Sequence, residues 1–380
     1  MIVEQRLWSR EGDWSVARPR SSSGAFAPQV VLCFGSEAGL AEAASTVPTD
    51  YPTATLLGCS TAGEISGTSV MDESLVATAI QFEHSRIATA CRTISAASES
   101  RSVGELLARD LEPAGLVHAF VLAEGLNVNG TELVKGLRSA LPEHVAVTGG
   151  LAADGSRFGH TSVWLGDRAQ NSGVAILGLY SDRLRVGYGS MGGWDQFGPE
   201  RVVTRSEGNV LYELDGESAL SLYRTYLGSN AADLPASGLM FPLSIRSSDG
   251  SPAVVRTILG IDESAGSLVF AGDIPQGART QLMKANVDRL IDGAHDAATY
   301  ASYRAIAAQP PSLAILISCV GRRLVLKQRV EEEVESVRDV LGSDVVQCGF
   351  YSYGEIAPFA PSVKCELHNQ TMTITTLSEN

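Results

Sequence analysis

Positive charge and long apolar runs are both scarce in this sequence. The sequence has 29 Lys and Arg residues and 43 Asp and Glu residues, which gives a net charge of −14. A protein with this charge repels phosphate backbones and anionic lipids. No stretch approaches the roughly 18 apolar residues of a membrane-spanning helix. The N-terminus mixes acids, bases and tryptophans where a signal peptide has an apolar core. We therefore expect a cytoplasmic protein that binds neither nucleic acid nor membranes.

Metal-binding motifs are missing as well. The six cysteines include no C-x-x-C pair and the six histidines no H-x-x-x-H pair, which argues against zinc knuckles, thioredoxin-type redox sites and multi-histidine metal sites. Haem needs only one protein ligand, which spacing does not exclude. Two histidines are candidates for that ligand, because His160 follows a glycine turn and His295 lies in the longest helix-like stretch. The sequence thus predicts no certain cofactor and leaves haem open.

What the chain does contain is one local pattern repeated three times. It is 380 residues long and 44% apolar, which is enough for two cored domains. A strand-like run, a helix-like run and a second strand-like run occur at 29–34, 37–47 and 54–58, at 117–123, 131–141 and 144–149, and at 312–319, 330–341 and 344–349. Sequence typical of antiparallel hairpins follows at 74–95, 161–186, 253–270 and 363–376. The predicted fold class is α/β, with repeated βαβ units, appended antiparallel hairpins and two domains.

Each second strand runs into a glycine turn with the spacing G-x-x-x-x-G. The turns are Gly58–Gly63, Gly150–Gly155 and Gly349–Gly354, and the first and third continue with Glu-Ile. Identities at a fixed spacing indicate an internal duplication. Residues 209–245 repeat the strand, helix, strand order without the glycines and are a candidate for a further, divergent unit. Residues 278–308 are predicted as the longest helix, and the glycine-rich segment 189–209 is the candidate domain boundary.

The glycine turns predict a binding site. Open α/β sheets bind ligands at the carboxyl ends of their strands, where these turns lie, and the polar groups there suit a small polar ligand. The candidate ligand-binding residues are Cys59, Ser60, Thr61, Glu64, Asn127, Gly150, Arg322, Tyr351, Ser352, Tyr353 and Glu355. The alternative is structural: the glycines and glutamates only hold the turns, and Arg322 pairs with an acidic residue of its own domain.

Catalytic motifs do not fit these turns. A phosphate-binding loop has a lysine where Glu64 stands, and the second glycine of the first turn comes one place too late for a hydrolase G-x-S-x-G. Cys59 is a conceivable nucleophile, but no sequence feature designates a partner histidine. We expect no enzyme, and catalysis by Cys59 is the alternative.

Five segments together resemble the FIST family, which takes its name from F-box and intracellular signal transduction proteins. They are GCSTAGEISG at 58–67, GLNVNGTELVKGL at 125–137, VTGGLAADG at 147–155, SCVGRR at 318–323 and GFYSYGEIAP at 349–358. The resemblance implies an N-terminal extension at 1–27, a FIST N-terminal sensory domain at 28–208, a FIST C-terminal domain at 209–362 and a hairpin or tail at 363–380.

The resemblance also implies a function. Members of this family look like intracellular sensors that bind a small ligand, such as an amino acid or a similar polar compound. The chain carries no output domain of its own, so it is expected to signal in trans, to a histidine kinase or a cyclic-di-GMP enzyme. One branch of the family resembles haem-based nitric oxide sensors that regulate a histidine kinase, and this is the alternative function.

Overall fold

Each of the three predicted units forms a parallel pair of strands joined by helix. The computed structural model describes residues 1–20, 24–170, 172–248, 253–305, 311–358 and 365–380. The strand pairs of the first, second and third unit are Val30–Gly35 with Thr55–Ser60, Leu116–Ala123 with Ala146–Leu151, and Leu313–Cys319 with Val346–Ser352. The connecting helices are Glu37–Asp50, Gly130–Ala140, and the pair Val320–Leu326 and Val330–Leu341. These strands are apolar on both faces because both faces are covered, and the α/β prediction is confirmed.

One mixed sheet is built around each pair. The first contains, in spatial order, Arg168–Gln170, Val163–Leu165, Thr55–Ser60, Val30–Gly35, Leu75–Gln81, Ile2–Trp8 and Trp14–Arg18. The second contains Cys365–His368, Gly354–Pro358, Ala146–Leu151, Leu116–Ala123, Gly173–Tyr180 and Arg86–Thr93. The third contains Leu184–Met191, Met372–Glu379, Leu313–Cys319, Val346–Ser352, Glu64–Ser66 and Ser69–Met71. The apolar core lies where the three sheets meet, around Leu32, Phe120 and Ile315.

A short strand after each glycine turn leaves its own unit and pairs with another unit's sheet. Glu64–Ser66 of the first unit joins the third sheet, Gly354–Pro358 of the third joins the second sheet, and Val163–Leu165 of the second joins the first sheet. The three exchanges close a cycle. No unit therefore completes its sheet alone, and each glycine turn lies at a contact between two units.

The antiparallel strands predicted as hairpins are present, but consecutive strands often lie in different sheets. Leu75–Gln81 belongs to the first sheet and Arg86–Thr93 to the second. Likewise Cys365–His368 belongs to the second sheet and Met372–Glu379 to the third. An alternating apolar pattern shows which face of a strand is buried, but it does not determine which other strand it pairs with. The local sequence pattern therefore predicts the strands but not the sheets to which they belong.

The glycines that begin the turns lie against the neighbouring strand of their unit. A Cβ added to Gly58, Gly149 or Gly349 would lie 2.3, 1.9 or 1.8 Å from a main-chain oxygen of that strand. Only glycine allows this approach. The counterpart of Gly58 and Gly349 is thus Gly149 and not the predicted Gly150, because the G-x-x-x-x-G match in the second unit is out of register by one residue.

The third unit carries an insertion between its strand Leu184–Met191 and the helix Val287–Ala305. Its eight strands, in spatial order, are Val254–Arg256, Leu243–Arg246, Arg279–Ala285, Trp194–Glu207, Val210–Leu214, Ser267–Phe270 and Ile258–Asp262, with Glu217–Ser218 beside Val210–Leu214. They pair in antiparallel fashion. Most of the segment 189–209, the candidate boundary, is the strand that opens this insertion.

Two predictions inside this region are wrong. Residues 209–245 do not form a fourth βαβ unit, because Val210–Leu214 and Leu243–Arg246 lie in the antiparallel sheet with two strands between them. The predicted helix at 278–308 is divided, since Arg279–Ala285 is a strand and the helix starts at Val287. The predicted end of that helix at 306–308 and the predicted domain limit at 362–363 lie outside the described residues, and the domain limits stay a prediction.

The remaining helices are short. They are the α-helices Ser100–Asp110 and Ala219–Leu227 and the 3₁₀ segments Ala97–Glu99, Gly228–Asp233, Ala236–Met240 and Lys327–Arg329. Within the described ranges, no helix has the length and apolar character that crossing a bilayer requires.

Candidate functional site

A cavity of about 340 Å³ opens at the carboxyl ends of the first unit's strands. It is lined by Gly35–Ala38 after the first strand and by Ser60 and Thr61 after the second. Residues of the segment 153–160 line it from the second unit, because the exchanged strand Val163–Leu165 carries that segment onto the first sheet. The rest of the lining is Trp8, Arg10 and Glu73. The cavity lies at the strand ends where the sequence predicts a site, and its lining comes from two units.

Hydroxyl groups and a helix N-terminus supply donors to this cavity. Ser36 is the N-cap of helix Glu37–Asp50, and its Oγ accepts the amide of Gly39 at 3.2 Å. The Oγ of Ser60 accepts the amide of Ser162 at 3.0 Å. Each oxygen is held by a main-chain donor, which leaves each hydroxyl proton available to a ligand. The helix dipole adds partial positive charge at the same place, so this side of the cavity suits an electronegative group.

Charges in the lining leave one carboxylate without a close cationic partner. Arg10 is bonded to Glu73, and Arg157 lies 3.9 Å from Asp154. Among the described residues, Glu37 accepts the hydroxyl of Ser162 at 2.6 Å, and the Nε2 of His160 lies 3.9 Å from it. Two cations against three carboxylates make the lining net negative. Glu37 is therefore placed to bind an ammonium group.

Asp154 fixes the wall that the second unit contributes. Its Oδ2 accepts the amides of Gly159 and His160, each at 2.9 Å, and its Oδ1 accepts the hydroxyl of Tyr353. Burial alone would raise the pKa of Asp154, but these hydrogen bonds outweigh it and the pKa is lowered. The same hydroxyl oxygen of Tyr353 lies 2.9 Å from the carbonyl oxygen of Gly155. The predicted ligand residue Tyr353 thus supports the cavity wall through Asp154 and does not line the cavity.

Glu64 and Glu355 hold equivalent turns from inside the protein. The Oε1 of Glu64 accepts the hydroxyl of Thr61 at 2.5 Å, and its Oε2 accepts the hydroxyl of Ser74 at 2.7 Å. Glu355 is bonded in the same way by Ser352 and Thr371. Burial raises the pKa of Glu64 to about 7 and that of Glu355 to about 8. This arrangement matches the structural alternative, in which the two glutamates hold their turns. The ligand contacts of Glu64, Ser352 and Glu355 stay a prediction.

Arg322 is likewise bound inside its own unit. Its side chain is fully buried, as is that of Glu333, and its Nη2 lies 2.7 Å from the Glu333 carboxylate. The hydroxyl of Tyr351 donates to the other oxygen of Glu333 at 2.7 Å. The structure thus contains the ion pair of the structural alternative, and the ligand contacts of Arg322 and Tyr351 stay a prediction.

The equivalent positions of the other two units are filled by the protein. In the third unit, Arg323 donates to the carbonyl of Ala62 at 2.6 Å and forms two bonds with Asp72. In the second unit, a Cβ on Gly125 would lie 1.9 Å from the carbonyl oxygen of Ala152. The predicted Asn127 is exposed there and bonded to Glu124. Gly150 is buried and pairs with Glu355 on the exchanged strand, and its ligand contact stays a prediction.

The cavity does not suit haem. His160 lines it with a half-exposed side chain, but the surrounding groups are mostly charged or hydroxylic, whereas a porphyrin needs apolar surface on both faces. His295 is exposed on the helix Val287–Ala305 and belongs to no part of this lining. In the part of the chain that the structure describes, no group of three or more His, Cys, Asp or Glu side chains is placed to hold a metal ion.

Cys59 is unsuited to nucleophilic chemistry. It is fully buried in the core between the sheets. Burial, and to a smaller extent the charge of Glu37, raises the pKa of its thiol well above the usual range. A nucleophilic cysteine needs the opposite shift and access to substrate. The ligand contact of Cys59 stays a prediction.

Sequence reasoning found part of this lining. Of the predicted residues, the cavity contains Ser60, Thr61 and His160. The lining residues that it missed include Ser36, Glu37, Asp154 and Arg157. Position is the signal for the first pair, because Ser36 and Glu37 follow a buried strand and begin a helix. The other pair follows the second unit's turn, which reaches the first unit only through the exchange.

Comparison with known proteins gives two family matches and one relative. The family model described as the FIST N domain matches residues 29–217, and the FIST C domain matches residues 219–358. An uncharacterized protein of Methanocaldococcus jannaschii is 25% identical over 267 residues, which is 63% of this chain and 50% of that protein. The chain thus spans about half the length of this curated relative.

Proposed function

This chain belongs to the FIST family, and from that premise we propose that its first-unit cavity binds the ammonium group of a small polar ligand. FIST domains are linked to small-ligand sensing and to signalling. Amino acids and related amines are the ligand class that fits best. The ligand's charge would be matched by Glu37, and its electronegative groups by the hydroxyls of Ser36 and Ser60.

One observation carries this proposal: the unbalanced carboxylate of Glu37 in an open cavity of about 340 Å³. That volume lies at the lower end of the range for small-molecule sites. At the corresponding position of the third unit, the guanidinium of Arg323 occupies the space beside the carbonyl of Ala62. A ligand that binds here would contact the first and the second unit at once, and so can change how they pack.

The signal would then pass to a signalling partner. The classes implied by the family resemblance are a histidine kinase and a cyclic-di-GMP enzyme. The buried thiol of Cys59 argues against the catalytic alternative, in which Cys59 is the nucleophile.

A thermal-unfolding screen tests the ligand class. We expect at least one compound among the common amino acids and simple amines to raise the Tm. At about 100 times its Kd, such a compound stabilises the folded state by about 2.7 kcal/mol. Its N-acetyl derivative, which lacks the ammonium charge, should have no effect. Glu37→Gln should weaken binding about tenfold or more, because a charge-assisted hydrogen bond is worth about 1.5–3 kcal/mol.

Glu42→Gln is the matched control, since Glu42 lies on the same helix and outside the cavity. It should bind the compound as the unmodified protein does. Equal affinity in Glu37→Gln, or equal stabilisation by the N-acetyl derivative, would contradict the proposed role of Glu37. Stabilisation by hemin with no effect from any amine would replace the proposal with the haem alternative.

A further inference from the structure

The short helix Val320–Leu326 lies between the cavity and the insertion. Two neighbouring arginines of this helix contact different parts of the protein, Arg323 the cavity side and Arg322 the insertion side. Arg323 contacts the turn that follows Thr61, a cavity residue. Arg322 contacts the two ends of the insertion. The helix is thus the most direct connection between the candidate ligand site and the third unit's inserted sheet.

On the cavity side, Arg323 holds the glycine turn of the first unit. Its Nη1 donates to the carbonyl of Ala62 at 2.6 Å, and its two Nη atoms reach Asp72 at 2.7 and 2.6 Å. Gly63 has φ of +130°, and a Cβ there would lie 2.5 Å from the Arg323 Nη1. The guanidinium therefore packs directly on the turn. Any shift of Thr61 and Ala62 on ligand binding must move or release Arg323.

On the insertion side, Arg322 holds the places where the chain leaves and rejoins the third unit. Its Nη1 donates to the carbonyl of Gly192 at 2.5 Å, and its Nη2 donates to that of Leu290 at 2.6 Å. Gly192 precedes the first inserted strand, and Leu290 lies in the helix after the last one. A movement of helix Val320–Leu326 would therefore act on both connections together.

The insertion contacts the units through both apolar and polar groups. Trp194 and Met283 of the insertion form a buried apolar cluster with Leu290 and Leu326 of the third unit. Gln370 donates to the carbonyl of Leu239 at 2.8 Å, and the Nζ of Lys135 lies 3.1 Å from Asp273. Arg256 donates to the carbonyl of Leu367 at 3.0 Å. Leu326 belongs to the same short helix as Arg322 and Arg323, so a movement of this helix acts on the insertion through packing as well as through hydrogen bonds. Interfaces of mixed character between domains of one chain commonly allow relative motion. A small shift of helix Val320–Leu326 can therefore change the position of the insertion.

We propose that the ligand cavity controls the position of the insertion through helix Val320–Leu326. In this proposal Arg323 responds to a shift of the first unit's glycine turn, and Arg322 holds the two chain connections between the insertion and the third unit. The proposal rests on the proposed function for the nature of the ligand, but the coupling itself is a property of these contacts. It assigns the insertion as the part of the protein that changes when the cavity is occupied. Such coupling requires that the insertion has two positions and that occupation of the cavity favours one of them.

Hydrogen exchange on the full-length protein tests the coupling without any ligand. Asp72→Asn removes the charge that holds Arg323, and Asp72 is exposed and remote from the insertion. We expect amides at 192–194 and 288–292 to exchange at least about fivefold faster, the lower end of usual allosteric coupling. Asp50→Asn is the matched control, because Asp50 also pairs with an arginine in the first unit. Unchanged exchange in Asp72→Asn overturns the proposal.

A substitution that fills the cavity provides a second test of the coupling. Ala38 lines the cavity and is exposed, so Ala38→Trp fills the space with little strain, whereas Ala41→Trp on the same helix does not reach it. Only Ala38→Trp should alter exchange at 192–194 and 288–292. If Ala38→Trp abolishes amine binding and leaves that exchange unchanged, the coupling is wrong and the binding site stands. If the exchange responds but no amine binds, the coupling stands and the proposed function fails.

Discussion

We expect Gly349→Ala to lower the free energy of unfolding by about 3 kcal/mol or more, the upper part of the range for overpacked positions. The added Cβ would lie 1.8 Å from the main-chain oxygen of Leu316. That oxygen belongs to the central strand Leu313–Cys319, which is hydrogen-bonded on both sides and cannot move away. The soluble yield and the urea midpoint measure the effect.

Gly260→Ala is the control for this substitution. Gly260 is also in a strand, but the nearest atom to an added Cβ there is 3.8 Å away, an ordinary contact. Its urea midpoint should stay near that of the unmodified protein. Gly58→Ala and Gly149→Ala should behave like Gly349→Ala, because all three glycines occupy the same position in their units. A Gly349→Ala protein with an unchanged midpoint would show that the three glycines are not equivalent close contacts.

The second large effect is expected at the buried ion pair of the third unit. Arg322→Met leaves the fully buried carboxylate of Glu333 without its cation. Removing one partner of such a pair costs about 3–5 kcal/mol. The same change also removes the donors to the carbonyls of Gly192 and Leu290. We therefore expect a urea midpoint well below that of the unmodified protein.

A double variant separates the charge from the packing. Arg322→Met with Glu333→Gln removes both charges and keeps an acceptor for Ser318 and Tyr351, so it should recover part of the loss. Arg329→Met is the control, because Arg329 pairs with Asp288 and Glu332 on the surface and should matter little. Additive losses in the double variant would show that the two charges do not compensate each other in the folded protein.

The three βαβ units could be predicted because their signal is local. Apolar strand runs, a helix between them and a glycine at each turn all lie within short segments. The insertion shows the limit of such a signal. Residues 209–245 have the same strand, helix, strand order, yet their strands lie in an antiparallel sheet because partners from elsewhere in the chain separate them.

The exchange of strands could not be predicted for a related reason. Glu64–Ser66 is only three residues long and pairs with a strand near the other end of the chain. Nothing in three residues specifies such a partner. The one-residue offset of the second turn has the same origin, since Gly150 fits the spacing but Gly149 makes the close contact.

The cavity contains some of the predicted ligand residues and not others. The hydroxyls of Ser60 and Thr61 line the cavity as expected. Glu64 and Glu355 resemble ligand residues in sequence, but the turns need their carboxylates to hold main-chain and hydroxyl donors. Glu37 and Asp154 meet only because the second unit's turn crosses onto the first sheet. The sequence shows these two residues far apart.

The most direct test of this account is the binding stoichiometry, measured by titration calorimetry with the compound that gives the largest thermal shift. The account predicts one molecule per chain, because one of the three equivalent turns carries the open cavity with Glu37. It also predicts that Ala38→Trp abolishes this binding while Ala41→Trp retains it. Two or three molecules per chain, or full binding by Ala38→Trp, would contradict the assignment of the ligand site to the first unit.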